Sequence, residues 1–299
     1  MTISPNLSQT MRLYLDSKDL IAVLARGVPV DAGELTTILR AKDTELVFSW
    51  SNIIESITFR EPNIRETRRR LELIEQLPQC YILGLPPLIR TEFRNAFRAF
   101  EANDFGLAAV DPFVPTWQRT LRDPGTVLPT DLLINFTTTD QVVEIVFDNP
   151  QIGQHTNADH TFYRSEVAAD RLHNLVVRRS AAWFRGGVAQ TLVSSGLRPD
   201  RARFEAFTDW LAANPTACPG WLLFQESYGV FCDNVTDAGQ RGDAPDFSHI
   251  ITAPYVDAIT LDRRMADYCR RASRTLADEH DPLLFAPTKI FHTLEEWIG

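Results

Sequence analysis

The stretch RLYLDS at residues 12–17 decides the fold prediction, because a short apolar run in it ends abruptly in an acid. An apolar run of this length, bounded by polar residues, is typical of a buried β-strand. The strand would deliver Asp16 at its C-terminal end. A helix is predicted to follow from Lys18 to Arg26, where Gly27 and Pro29 stop it.

The same order of strand and helix recurs elsewhere in the chain. ELVFS at 45–49 reads as a strand and is followed by a helix for which Ser51 is the N-cap. AITL at 258–261 reads as a strand that ends at Asp262 and is followed by a helix from Arg263. The segment at 289–292 reads as a last short strand, and the segment at 80–83 as a short strand or an extended link. This alternation predicts an α/β fold with a mainly parallel sheet.

The middle of the chain follows a different pattern. From Asn103 to about Gly125 the sequence is rich in Pro, Asp and aromatic residues, as in a loop-rich connection. From Pro129 to roughly Pro215 it is mostly helical in character. We therefore predict a discontinuous α/β core of residues 1–102 and 216–299, with residues 103–215 as a mostly helical insertion into or beside it.

Composition is typical of a soluble globular protein, with 44% hydrophobic and 23% charged residues in 299. No run approaches the roughly 18 apolar residues that a membrane span needs. The N-terminal sequence lacks the basic and apolar regions of a secretory signal. Four cysteines without CxxC spacing suggest neither a zinc site nor a disulfide framework. A cytoplasmic protein that does not enter a membrane is therefore expected.

The net charge of −9 argues against a broad basic surface that would coat nucleic acid nonspecifically. It does not exclude an enzyme that acts on nucleic acid, because a cluster of site carboxylates adds negative charge that bound cations would neutralise. Arginines are also concentrated locally, at residues 65–70 and 263–274. Such charge runs are more often solvated helix faces than binding surfaces.

Four acids are predicted to converge at one edge of the sheet. Asp16 and Asp262 each follow a strand, and Glu55 lies one turn into the helix after the second strand. In a parallel α/β sheet, residues just beyond the strand C-termini line one crevice. Asp246, at a predicted helix start, can face the same crevice, although its neighbour Asp243 competes with it as the third of the four acids.

Three segments resemble the PIN-domain family: LYLDSKDL at 13–20, SWSNIIE at 49–55 and DFSHIITAPYVDAITLDRRM at 246–265. In that family the first strand ends in an Asp that a Ser or Thr commonly follows. The second acid lies on a helix after a Ser- or Thr-containing turn. The third and fourth lie at a helix start and after a strand that reads TxD. The resemblance covers roughly residues 10–100 and 216–299 and leaves the middle third unmatched.

The resemblance implies a three-layer α/β/α fold and an endoribonuclease that uses Mg²⁺ or Mn²⁺, with single-stranded RNA as the expected substrate. The metal ligands would be Asp16, Glu55, Asp246 and Asp262. The chemistry of these cations agrees with such a site, because hard divalent cations prefer oxygen ligands and need neither His nor Cys. Clustered carboxylates also repel one another unless cations bind, which makes them costly as mere structure.

Further residues have predicted supporting roles. Ser17 and Asn52 could orient carboxylates or waters, and Arg263 or Arg264 could steer the substrate backbone. Each acid also has a purely structural interpretation. Asp16 and Asp262 could be helix N-caps, and Glu55 an ordinary solvated acid. His249 could contact a phosphate, but packing in the core is the more common role for such a histidine.

Other enzyme classes lack their motifs. The sequence has no GxxxxGK[ST], GxGxxG, HExxH or GxSxG segment. A haloacid-dehalogenase-like phosphatase would need a second Asp where Lys18 stands. The serious alternative is a catalytically inactive PIN-like scaffold that binds protein or nucleic acid, with the helical insertion available to a protein partner.

Overall fold

A computed structural model describes residues 10–49, 51–52, 55, 64–114, 181–234, 236–237, 243–280 and 288–299. Its strands are β1 (Met11–Tyr14), β2 (Thr44–Phe48), β3 (Gln79–Ile82), β4 (Phe113–Val114), β5 (Ala258–Thr260) and β6 (Lys289–Phe291). Its helices are α1 (Ser17–Arg26), α2 (Ala32–Ala41), α3 (Ile64–Gln76), α4 (Leu85–Ala102), α5 (Ala181–Ser194), α6 (Arg201–Ala213), α7 (Pro219–Asp233), α8 (Asp243–Ile250), α9 (Arg263–Glu279) and α10 (Leu294–Ile298). Ser51, Asn52 and Glu55 are also helical.

The strands form one sheet in the order β4-β3-β2-β1-β5-β6. Neighbouring strands are parallel except for β3 and β4, which are antiparallel. The predicted α/β class with a mainly parallel sheet is therefore confirmed. β1 lies in the interior of the sheet, between β2 and β5, so the segments that follow β1 and β5 leave the sheet side by side.

Alternate residues of the central strands pack on opposite faces of the sheet, as strand geometry requires. Leu13 and Leu46 point to one face, which packs against apolar residues of α1, α2, α3 and α10. Tyr14 and Val47 point to the other face, which packs against α4 to α9. Both faces are thus covered by helices, which explains why these strands read as continuous apolar runs.

The described parts of the middle region pack closely with the rest of the protein. Val188 of α5 and Phe207 of α6 belong to the same hydrophobic cluster as Tyr14 of β1. The Phe207 ring lies 5.2 Å from the Phe97 ring of α4, centroid to centroid. β4 also extends the sheet. Residues 115–180 lie outside the described residues, so the extent of the insertion predicted for 103–215 stays a prediction.

Helix ends follow local chemistry, with one correction to the sequence prediction. α1 ends at Gly27, whose φ of 62° is left-handed and suits glycine. α8 begins at Asp243, so Asp246 lies within the helix and not at its start. Pro245 is tolerated there because the first turn of a helix has no intrahelical partners for its N–H groups. In the part of the chain that the structure describes, no helix combines the length and apolar character needed to cross a membrane.

Candidate functional site

Asp16 lies between β1 and α1 and is held by hydrogen bonds to α1 and to β5. Its side chain caps α1 by accepting from the Lys18 N–H at 3.3 Å. Its own N–H donates to Oγ1 of Thr260, the last residue of β5, at 3.0 Å. The carboxylate is only 7% exposed. The position of Asp16 is therefore fixed relative to both central strands.

Asp262 occupies the equivalent place after the neighbouring strand. Its Oδ1 accepts from the N–H groups of Arg264 at 2.7 Å and Met265 at 2.9 Å, which caps α9. Because β1 and β5 are parallel neighbours, Asp16 and Asp262 lie at the same edge of the sheet. Asp16 and Asp262 are thus both helix N-caps, which is the non-functional role that the sequence also allowed. Both also follow neighbouring parallel strands, as predicted.

Asn52 connects the turn after β2 to the turn after β1. It is fully buried, and its Oδ1 accepts from the Ser49 N–H at 2.9 Å. Its Nδ2 donates to the Leu15 carbonyl at 2.8 Å and lies 3.4 Å from Oγ of Ser17. These bonds hold the backbone that leads to Glu55 against the backbone that leads to Asp16.

Glu55 faces His249 of α8. Its Oε1 lies 3.4 Å from His249 Nε2, which is within ion-pair distance. The alignment falls outside hydrogen-bond geometry, and both atoms are buried without a hydrogen-bond partner. The His249 ring itself is fully buried. A buried carboxylate oxygen and a buried imidazole nitrogen that lie this close together without a hydrogen-bond partner are seldom left unexplained in a folded core.

Asp246 lies one turn before His249 and is electrostatically coupled to the other acids. Burial, together with the negative charges of Asp16 and Asp262, raises its pKa to about 7. Glu55 contributes in the same direction, while His249 opposes it. At neutral pH this carboxyl group is therefore close to the midpoint of its titration.

The remaining pKa shifts come from the same neighbours. Burial raises the pKa of Asp16, with His249 opposing this and Glu55 and Asp262 adding to it. Burial would also raise the pKa of Glu55, but the adjacent His249 and the Ser17 hydroxyl lower it below its ordinary value. Carboxyl groups from four separate segments thus share one electrostatic environment.

Within the described ranges, no group of three or more His, Cys, Asp or Glu side chains is arranged so that it could hold a metal ion.

The other candidate residues have varied environments. Asp19 is buried, and burial raises its pKa, although hydrogen bonds from the Thr260 hydroxyl and the Leu294 N–H oppose the rise. These bonds link α1 to β5 and α10. Arg264 Nη1 is 3.0 Å from Oδ1 of Asp237, which holds the guanidinium in an ion pair. Arg263 is exposed. The Asp243 side chain lies outside the described side chains.

Sequence reasoning missed the partners of His249. The hydroxyl of Tyr14 lies 2.6 Å from His249 Nδ1 and 2.6 Å from Oγ of Ser49. A signal existed, because a tyrosine in a strand predicted to be buried must find a partner for its hydroxyl. The sequence could not show that this partner lies 235 residues away.

The chain was compared with protein-family models, with characterised proteins and with solved structures, and none of the three comparisons gave a match.

Proposed function

We propose that the protein is a divalent-cation-dependent nuclease of PIN-like fold that hydrolyses phosphodiester bonds, with single-stranded RNA as its substrate. The observation that carries the proposal is that the charges of Asp16, Asp262 and Glu55 all act on Asp246, which couples acids from four separate segments. Two of these acids, Asp16 and Asp262, follow neighbouring parallel strands at the carboxyl edge of the sheet. This edge is where α/β proteins bind ligands.

The carboxylate oxygens that these acids offer are the type of ligand that Mg²⁺ and Mn²⁺ prefer. All four acids offer oxygen ligands, and Glu55 Oε1 is buried without a hydrogen-bond partner. Burial and, after it, repulsion from Asp16 and Asp262 raise the pKa of Asp246, and a bound cation would relieve the repulsion. Bound between these acids, such cations would activate a water molecule and stabilise the leaving oxygen.

The chain's own groups would bind and orient the substrate. Asp16 and Asp262 are held in place by their capping bonds, so their free carboxylate oxygens need little reorganisation. Asn52 holds the Glu55 helix against the Asp16 turn, with Ser17 at the junction. Arg263, exposed beside Asp262, is suited to contact the phosphate backbone of the substrate.

A second candidate function is a PIN-like scaffold without activity that binds a protein or nucleic acid. It is favoured by the two capping roles, which give Asp16 and Asp262 a structural purpose. It is also favoured because no group of three or more acids among the described residues is arranged to hold a metal ion.

The experiment separates these candidates by removing charge while keeping each cap. Asn caps helices as well as Asp does, so Asp16→Asn and Asp262→Asn should leave the fold intact. We expect each variant to cleave a fluorogenic single-stranded RNA at least about a hundredfold more slowly with Mn²⁺, because cation ligands contribute several kcal/mol to the transition state.

Asp267→Asn is the matched control, since Asp267 lies exposed on α9, the helix that Asp262 caps. It should cleave at the wild-type rate, and EDTA should stop cleavage by wild type and control alike. Wild-type protein that neither cleaves RNA nor binds Mn²⁺ by calorimetry would leave the scaffold as the better account. Cleavage that survives EDTA would reject the mechanism.

A further inference from the structure

The solvent face of α9 carries a stripe of arginines that begins at the helix N-terminus. Between residues 263 and 274 this helix has five arginines and a single acid, Asp267, in a chain whose net charge is −9. At 3.6 residues per turn, Arg263, Arg271 and Arg274 fall within about 80° of one another around the helix axis. All three are exposed, and we refer to them as the α9 stripe.

The other two arginines of this segment have structural partners. Arg264 forms an ion pair with Asp237, and Arg270 donates to the Ile290 carbonyl of β6 at 2.6 Å. The Arg270 guanidinium also lies 2.9 Å from His292 Nε2. These contacts hold both guanidinium groups against the protein, so neither arginine belongs to the stripe.

Local stability does not explain the stripe. Arg263 lies in the first turn of α9, where the positive end of the helix dipole disfavours a cation. Within the described parts of the chain, the structure gives the stripe one ion pair, between Arg271 and Asp267. The two groups are 3.7 Å apart and their side chains are 48% and 62% exposed, so the pair stabilises the protein little. Most of the positive charge of the stripe is therefore available to a ligand.

The stripe starts where the proposed nuclease site lies. Asp262 caps α9 at the carboxyl edge of the sheet. Because β5 and β6 are parallel, α9 between them runs back from that edge along the sheet. With a rise of 1.5 Å per residue, Arg271 and Arg274 lie about 12 Å and about 16 Å along the helix from Arg263. A strand of nucleic acid that leaves the site along α9 would pass its phosphates over three guanidinium groups.

We propose that the α9 stripe binds the phosphate backbone of the single-stranded RNA substrate on one side of the scissile bond. The inference rests on the proposed function, because that function supplies the substrate and puts its scissile phosphate beside Asp262. Guanidinium groups bind phosphate oxygens through paired N–H groups. Backbone contacts of this kind give affinity and register without reading the base sequence.

The salt dependence of RNA binding tests the stripe. A fluorescein-labelled oligouridylate of about twelve nucleotides is titrated with the full chain in EDTA, and fluorescence anisotropy gives the affinity. For single strands, each phosphate contact contributes about 0.7 to the slope of log affinity against log salt concentration. We expect Arg271→Gln combined with Arg274→Gln to reduce this slope by about 1.4, because two contacts are lost. The same loss weakens binding about 25-fold at about 0.1 M salt.

Arg40→Gln is the matched control, since Arg40 is exposed on α2, which packs on the opposite face of the sheet. It should bind RNA with the affinity and slope of wild type. Arg271→Lys combined with Arg274→Lys should keep the slope, because both charges remain. Thermal unfolding would verify that all variants fold.

Three results would overturn the proposal. They are wild-type protein that binds no RNA, a double Gln variant that binds as wild type does, and an equal loss in Arg40→Gln, which would mean that net charge alone acts. The alternative occupant is an acidic protein segment. An oligoglutamate of the same length should bind more weakly than the RNA, and one that binds as tightly and depends equally on the stripe would also reject RNA as its ligand.

Failure of the proposed function would have a different signature. The protein would then bind RNA through the stripe in EDTA but would not cleave it when Mn²⁺ is added. Because binding is measured without the cation, the stripe and the nuclease activity are tested separately.

Discussion

A single hydroxyl group, on Thr260, joins the two strands that lead to Asp16 and Asp262. Its Oγ1 accepts from the Asp16 N–H at 3.0 Å, and the hydroxyl bonds to the Asp19 carboxylate. All three residues are buried. The hydroxyl therefore satisfies a donor and an acceptor that would otherwise lie unpaired in the interior, where an unpaired group costs most.

Thr260→Val removes this hydroxyl with almost no change in shape. We expect a loss of about 2–3 kcal/mol in the free energy of unfolding, since a backbone N–H and a carboxylate each lose a partner. Urea denaturation measures this loss. Thr260→Ser keeps the hydroxyl and should lose clearly less; similar losses for the Val and Ser variants would show that the methyl group matters more than the bond.

The residue scale also shows what a sequence can and cannot reveal about a site. Asp16 and Asp262 were found because each follows a short apolar strand, and such strand ends share an edge in a parallel sheet. His249 was assigned to packing, because nothing local distinguishes it from an ordinary core histidine. The side chains that contact it, Tyr14 and Glu55, lie far from it in the sequence and reach it only in the folded protein.

At the scale of elements, α7 begins against a buried carboxylate from another helix. Glu92 of α4 accepts from the N–H groups of Gly220 at 2.7 Å and Trp221 at 2.9 Å. These donors belong to the first turn of α7 and have no partner within the helix. The Tyr255 hydroxyl also donates to Glu92. The Glu92 carboxylate therefore joins α4, α7 and the segment between α8 and β5 that carries Tyr255. Its negative charge also stabilises the positive end of the α7 dipole.

Gly220 permits this close approach. A Cβ at that position would lie 2.8 Å from Glu92 Oε1 and 2.8 Å from the Ile251 carbonyl oxygen. Because one of these atoms belongs to the backbone, we expect Gly220→Ala to reduce the free energy of unfolding by about 2 kcal/mol or more. Gly186 of α5 is the matched control, since a Cβ there meets nothing within 4 Å.

Gly186→Ala should stabilise the protein by up to about 1 kcal/mol, because alanine is the better helix former. Thermal and urea unfolding of both variants measure the two effects. Equal changes for Gly220→Ala and Gly186→Ala would contradict the close contact at Gly220.

Elements were easier to predict than their boundaries. Apolar runs indicated five of the six described strands, whereas β4 lies in the segment that was predicted to be a loop-rich connection. α8 was placed too late because Pro245 was taken as part of a turn, whereas the first turn of a helix accepts proline. The contacts of α5 and α6 with α4 were not predictable, since a local pattern does not say which surface a helix will cover.

At the scale of the whole molecule, Glu92 makes stability depend on pH. Burial raises its pKa to about 7, although the bonds from Tyr255, Trp221 and Gly220 oppose the effect. The folded protein therefore binds this proton more tightly than the unfolded chain does. The resulting stabilisation is fully present below the ordinary carboxyl pKa of 4.5 and is lost as the pH rises through about 7.

Glu92→Gln removes this titration. We expect the stability of wild type relative to Glu92→Gln to fall by up to about 3 kcal/mol between about pH 5 and pH 8. Urea unfolding midpoints across this range measure the difference. Glu101→Gln is the control, since Glu101 is exposed on the same helix and should leave the pH dependence unchanged. If the stability of wild type relative to Glu92→Gln rose with pH instead, folding would lower the pKa of Glu92, contrary to the prediction.

The pairing of β1 with β5 also has a consequence for the order of events during synthesis. The bond between Asp16 and Thr260 spans 244 positions, and parallel partners so far apart close late in folding. A ribosome that is making this chain holds the Asp16 turn outside its exit tunnel long before residue 262 is translated. The nascent polypeptide therefore keeps Asp16 and Asp262 apart until the residues of β5 have left the exit tunnel and can pair with β1.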